Sequence, residues 1–263
     1  MIQDCDDDTE TFIDLKTLIQ RTKPHVISVI ESDVYGHKSN NINKKTRFTT
    51  EQILHKLHIP GYKIEFPDSW EHHGVARLLV YVSEQVAAVR KPAADSDSDL
   101  PSITLDIGLG REKKTSVNLF YREYTGAVSR ENSLVSQLDR FTRQIKQWRN
   151  LSDSNRDYVI LGDTNICLMD DKNLDKNRSE LFNILIDFMI EESAVQLIDN
   201  YTRSELVNNI VQRSCIDHII TNIPEKCSNP SIDPVGSSDH MSIEIKKFTR
   251  ELRQKPNKVK KRS

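Results

Sequence analysis

Cysteine is scarce and scattered. The four cysteines, Cys5, Cys167, Cys215 and Cys227, form no Cys-x-x-Cys pair, so neither a zinc site nor a disulfide framework is expected in a chain of 263 residues. Reduced, structural thiols fit an intracellular protein. Long apolar runs are also missing. No stretch reaches the length of a membrane span, and the acidic opening (Asp4, Asp6, Asp7, Asp8, Glu10) is the reverse of a signal peptide's basic start. Net charge is nearly absent as well: a formal -2 gives no overall field to draw in a polyanion. No internal repeat or low-complexity block occurs. What is left is a soluble globular chain, 37% hydrophobic and 29% charged, long enough for one large layered domain or two small ones.

The charge that exists is unevenly placed. Residues 1–10 are acidic and read as disordered, whereas residues 248–263 continue a basic run that begins at Lys246. Such a tail is a solvated terminus, a patch that touches DNA phosphates without sequence preference, or a linker to a further domain. Residues 11–247 are read as the folded domain.

The most informative stretch is Asp157-Tyr158-Val159-Ile160-Leu161-Gly162-Asp163-Thr164-Asn165. An unbroken apolar run from Tyr158 to Leu161 reads as a strand buried on both faces. Gly162 permits a sharp turn or a close approach. Asp163 and Asn165 would project together if strand geometry continued. On these residues alone, an Asp/Asn-rich turn leaving a strand is an equal reading. Three further segments carry polar groups in the same manner. Pro24 to Glu31 is strand-like and ends in a carboxylate, Cys215 to Asn222 holds Asp217 inside an apolar strand, and Asp239-His240 leads into the alternating segment Met241 to Ile245. A lone Asp in such a strand is costly unless it is paired or hydrogen-bonded. Carboxylates at strand ends hold a hard divalent cation, and a His oriented by an Asp handles a proton.

Periodicity supplies the frame. Helices are expected over Thr11–Thr22, from Thr50 to Leu57, over Ser133–Arg149 (Leu134, Leu138, Phe141, Ile145 and Trp148 on one face) and over Ser179–Glu191. Strands are expected around Tyr62–Phe66, over Val75–Val82 and Gln85–Arg90, and as a hairpin of Ser102–Ile107 with Thr115–Phe120. Ser32–Thr49 and Lys91–Leu100 read as loops. Helices separated by runs of strands point to two packed sheets with helices outside.

In this order, Val29-Ile30-Glu31, His73-Gly74-Val75-Ala76, Asn118-Leu119-Phe120-Tyr121-Arg122, Gly162-Asp163-Thr164-Asn165, Cys215-Ile216-Asp217-His218-Ile219 and Ser238-Asp239-His240 resemble the endonuclease/exonuclease/phosphatase superfamily. The flavour is that of the endonuclease domain of non-long-terminal-repeat retrotransposons. The resemblance implies a four-layered α/β sandwich of two packed mixed sheets flanked by helices. It implies a metal-dependent phosphodiesterase, a DNA-nicking endonuclease in particular, that uses magnesium or manganese. Glu31 and Asp239 would hold the metal. Asp163 and Asn165 would orient the attacking water and the scissile phosphate. Asp217 would orient His240, Tyr121 would reach the phosphate, and Arg122 and His73 would bind substrate. Glu31 by itself also reads as an exposed residue opening a loop, Asp170-Asp171 reads as a solvated loop, and His37, His55 and His58 read as surface or packing residues.

The partner implied is DNA, contacted through its phosphates by a monomer, with a reverse transcriptase domain downstream in an intact element and nuclear action on genomic DNA. Two departures stand out. Glu123-Tyr124-Thr125-Gly126 replaces the prolines that retrotransposon members carry after the Tyr-Arg pair. The first strand, with its metal-side Asn, has no counterpart among Met1-Ile2-Gln3-Asp4-Cys5, so an N-terminally truncated, marginally folded domain is expected. The same resemblance leaves room for an inositol-phosphate or lipid phosphatase and for an inactive nucleic-acid-binding remnant.

Overall fold

The computed structural model describes residues 10–35, 50–67, 75–91, 101–108, 114–122, 130–152, 156–169, 176–236 and 238–248. The acidic residues before Glu10, most of the basic tail, residues 92–100 of the Lys91–Leu100 loop, Asp170-Asp171, His37 and His73 lie outside them. Helices are α1 (Glu10–Thr22), α2 (Thr50–Lys56), α3 (Arg130–Ser152) and α4 (Lys176–Glu191).

The smaller sheet has three strands in the order β1-β3-β2, with β1 Val26–Tyr35, β2 Tyr62–Glu65 and β3 Val75–Ser83. The larger sheet has six, in the order β4-β5-β6-β7-β11-β8: β4 Ala87–Arg90, β5 Ser102–Gly108, β6 Thr115–Tyr121, β7 Asp157–Asp163, β8 Val195–Gln196 and β11 Asp217–Thr221. It is mixed, because β6 runs parallel to β7 while the other pairs are antiparallel. Two ribbons complete the described strands, β9 (Arg203–Val207) with β10 (Ile210–Ser214), and β12 (Ser231–Pro234) with β13 (Met241–Glu244).

Alternation along the strands sorts the core into layers. Leu78, Val80 and Val82 of β3 meet Ile103, Leu105, Leu119 and Tyr121 of the larger sheet, which makes the seam between the two sheets. On the outer face of the smaller sheet, Leu79 and Tyr81 pack on Phe12, Leu15 and Ile19 of α1 and on Ile53 of α2. On the outer face of the larger sheet, Phe120, Tyr158, Ile160 and Ile220 pack on Phe141, Ile145 and Trp148 of α3 and on Leu185 and Phe188 of α4. Helix, sheet, sheet, helix is a four-layered α/β sandwich. Trp148 is locked at the centre of the last interface: its indole N–H donates to Asn118 Oδ1 at 2.9 Å, and the Asn118 amide donates in turn to Ser102 and Thr104. A buried polar group so fully satisfied fixes where α3 sits.

Three local expectations change. The strand that carries Glu31 does not stop there but runs on to Tyr35, and its register against β3 slips between Ile30 and Val34, where Glu31 takes a left-handed φ of 51°. The segments around Val75 and Arg90, which read as consecutive strands of one kind, belong to different sheets; the short turn at Glu84–Val86 carries the chain across the seam. Both long helices also begin earlier than their apolar periodicity suggests.

Candidate active site

Register in the larger sheet puts three strand ends in one row. Tyr121 of β6 faces Asp163 of β7, and Asp163 faces Asp217 of β11. Residues directly opposite in a sheet share a face, so these three side chains gather on the seam side at one edge of the sandwich. The row one residue earlier points the other way: Phe120, Gly162 and His218. Gly162 carries no side chain where the Phe120 carbonyl and ring press against it, since a Cβ built there would lie 2.0 Å from Phe120 O.

Past Gly162 the strand ends and the chain makes a tight turn. Asn165 sits at a left-handed φ of 52°, a conformation that Asn tolerates better than most residues. Its backbone N–H donates to Asp163 Oδ1 at 2.6 Å and its amide to Asp163 Oδ2 at 3.2 Å. The two side chains therefore meet through a turn closed by the Asp carboxylate, not through strand alternation. Arg122 braces the same turn. It donates to the carbonyl oxygens of Thr164 and Asn165 and to Gln137, and in return Asn165 Nδ2 donates to the Arg122 carbonyl at 2.8 Å. The guanidinium expected on a substrate phosphate is thus directed into the turn that holds Asp163.

His240 comes in from the other side. Its Nδ1 lies 3.1 Å from Asp217 Oδ2 and 3.3 Å from Oδ1. Thr202 anchors this arrangement: its hydroxyl oxygen accepts from the Ile216 and Asp217 N–H groups, while its carbonyl accepts from Met241 N–H. Sequence gave no hint of Thr202. Ligand-capable atoms of Asp163, Asp217 and His240 lie within 4.8 Å of one another.

Asp163 and His240 titrate abnormally in so little water. Burial and the Asp217 charge push Asp163 up to about 8, against the pull of the Asn165 N–H, His240 and Arg122. Burial alone would lower His240, but the hydrogen bond and charge of Asp217, helped by Asp163 and Asp239, push it up to about 9. Folded His240 therefore holds its proton more tightly than the ordinary imidazole at 6.5, so its stabilising contribution is complete below pH 6.5 and is lost as pH rises through about 9. Asp163, raised from 3.8, loses stability in the same direction as pH rises through about 8. In chelator, the melting temperature should fall between pH 6.5 and 9, and Asp217→Asn, which removes a principal cause of both shifts, should flatten that fall. Equal slopes in the two proteins would mean that the cluster does not titrate as described.

Glu31 and Asp239 flank the cluster without joining its close group. Glu31 Oε1 accepts from Tyr121 O–H at 2.7 Å, the contact that ties the two sheets together at this edge. Asp239 is gripped by Arg203, whose Nε lies 2.7 Å from its Oδ2. Burial notwithstanding, this grip holds Asp239 below the usual carboxylate range and so keeps it ionised. Carboxylate oxygens with one imidazole fit a hard divalent cation. His73 lies outside the described residues. His58 is exposed and the cluster does not include it.

This constellation sits on a known frame. The chain has the fold of the endonuclease/exonuclease/phosphatase superfamily. Among solved structures it is similar to the AP endonuclease LMAP from Leishmania major, with a TM-score of 0.69 at 12% identity over 90% of this chain and 82% of that one. It is similar also to a 3' phosphatase from Neisseria, NExo, bound to a product DNA hairpin, with a TM-score of 0.63 at 13% identity over 90% and 94% of the two chains. A third is the endonuclease domain of TRAS1, a telomere-specific non-LTR retrotransposon, with a TM-score of 0.60 at 12% identity over 93% and 95%. No family model and no curated protein matches the sequence.

Proposed function

We propose that the chain is a metal-dependent phosphodiesterase that nicks DNA, of retrotransposon descent. The observation that carries the reading is the Asp163–Asp217–His240 cluster at one edge of the sandwich, beside Asn165 and the Tyr121–Glu31 pair. Hydrolysis of a phosphodiester needs a positioned water, donors aimed at the phosphate and an acid/base pair. Asp163, pinned by Asn165, is the group that orients the water and, once ionised as pH rises through about 8, takes its proton, while Asn165 steadies the phosphate. His240, kept cationic by Asp217, donates to a phosphate oxygen as charge builds there. Tyr121 O–H is within reach of the same phosphate once Glu31 turns to other work. A divalent cation, held by Glu31 and Asp239, would neutralise charge on the phosphate and leaving oxygen. The likeness to DNA-processing enzymes supports the choice of nucleic acid over lipid.

The test is a supercoiled plasmid beside a phosphoinositide panel. Nicks in magnesium or manganese, none in chelator and few in calcium are expected, because calcium's looser shell positions a phosphate less tightly. Full nicking in excess chelator would remove the metal from the mechanism. Phosphate release from the lipid panel without nicks would transfer the reading to a phosphatase. Salt-dependent DNA binding with no turnover in either metal would make the chain a binding remnant.

A further inference from the structure

We propose that His218 positions Asn165 for the reaction by holding the carbonyl of Ile166, a role that rests on the phosphodiesterase reading above. His218 faces Gly162 across the β7–β11 ladder and points away from the seam, back to back with Asp217. Its ring is fully buried, so both of its nitrogens need partners. Both have one. Gln196 of β8 presents its side-chain oxygen to the backbone N–H groups of Leu197 and Ile219, at 3.1 and 3.0 Å. Its amide nitrogen is therefore the end that meets His218 Nδ1. An amide nitrogen only donates, so Nδ1 accepts and carries no proton. The proton sits on Nε2, which donates to the Ile166 carbonyl at 3.0 Å. The neighbours thus select one neutral tautomer out of two.

The carbonyl it holds lies one residue beyond Asn165, whose left-handed φ of 52° persists only if the chain is fixed on both flanks. On the near flank, Thr164 N–H donates to the Ile216 carbonyl at 2.9 Å. The Thr164 hydroxyl accepts from Ile166 N–H at 3.0 Å, and its single proton is divided between the carbonyls of Ile216 at 3.2 Å and Ile166 at 3.3 Å. On the far flank, the His218 ring supplies the shorter bond to Ile166 O. The Asn165 amide is spent on Asp163 Oδ2 and the Arg122 carbonyl, so its orientation follows that of the backbone beneath it. Adjacent residues of β11 therefore serve the two halves of the site. Asp217 orients His240 on the seam side, and His218 fixes the Asn165 turn from the helix side. His218 lies behind the strand and acts through Asn165, which makes it a positioning residue.

Two measurements test the role. In wild type carrying isotope-labelled histidine, nuclear magnetic resonance should find a slowly exchanging proton on His218 Nε2 and none on Nδ1; the opposite tautomer would overturn the proposal. Turnover of a short labelled DNA duplex in magnesium is then compared among wild type, His218→Phe, His218→Gln and His218→Asn, each rate scaled to the fraction folded in its melting curve. His218→Phe keeps the ring and loses the donor, so kcat should fall by about a hundredfold, the cost of a small misplacement, with KM changed by less than about twofold. In His218→Gln the amide reaches about as far as Nε2 and should restore much of kcat. In His218→Asn it stops short of the Ile166 carbonyl and should not. In an Asn165→Ala background, His218→Phe should cost little more, because residues that act as a unit are not additive. Losses that multiply in that background, or equal kcat in His218→Gln and His218→Asn, would leave His218 as a core residue only. Should His218→Phe fail to fold, the tautomer and the comparison of His218→Gln with His218→Asn decide. Wild type that turns over no phosphodiester sinks both readings, whereas wild type that nicks DNA no faster than His218→Phe sinks this one alone.

Discussion

His240→Ala should lower the plasmid-nicking rate by about a thousandfold, within the usual range for loss of a positioned acid/base group. The expectation follows from its geometry: the imidazole is held at 3.1 Å by a buried Asp217 and lies in one close group with Asp163. Asp217→Ala should forfeit much of the same factor, since an imidazole without its carboxylate loses both its orientation and its reason to stay protonated. The double variant should then be little slower than His240→Ala, because the two residues act as a unit. If the losses multiply instead, Asp217 serves only its strand. His58→Ala is the control: His58 is exposed and outside the cluster, so its rate should match wild type. Each variant needs a melting curve beside its rate, since Asp217 is 4% exposed and its loss could act through folding.

Parts of this site could be read from the sequence because they depend on short-range pattern. Tyr158 to Leu161 followed by Gly162-Asp163-Thr164-Asn165 is a buried strand ending in polar residues, and the structure ends β7 at Asp163. Asp217 stood out as a charge in an apolar strand, and the structure buries it beside His240. Layering was legible for the same reason: helical and strand periods in α3, β3 and β6 each declare which face is apolar. What was not legible depends on distant pieces of chain. That β3 and β4 part into different sheets is decided at a short turn whose residues carry no signal for it. That Glu31 lies in a left-handed slip of a continuing strand depends on pairing with β3. Arg203 reaches Asp239 because β9 forms a bridge at His240, and Arg122 turns into the loop because the Thr164 and Asn165 carbonyls need donors.

Gly162→Ala should be the most damaging small substitution available. Gly162 sits at φ +156°, and an added Cβ would meet Phe120 O at 2.0 Å and Phe120 Cδ1 at 2.8 Å. Neither obstacle can yield easily. The Phe120 backbone is tied on one side by its pairing with Ser102 and by Tyr121 N–H on the Pro101 carbonyl at 2.9 Å, and on the other by the parallel ladder to β7 itself. Its ring is wedged against Trp148, with centroids 4.7 Å apart. Room for a methyl group must come from spreading two central strands, and overpacking of that kind with backbone strain costs about 3 kcal/mol or more. That is a large part of a total stability of roughly 5–15 kcal/mol, and it should lower the melting temperature by about 10 °C in a chain of this size. Gly61→Ala separates the two causes. Gly61 also has a positive φ, +82°, but nothing lies within 4 Å of a Cβ there, so its alanine bears conformational strain alone, about 1–2 kcal/mol. Equal losses at the two positions would mean that Phe120 moves aside freely. A much larger loss at Gly162, joined by a fall in nicking beyond what the unfolded fraction explains, would show that the bare backbone at this point holds Asp163 in register between Tyr121 and Asp217.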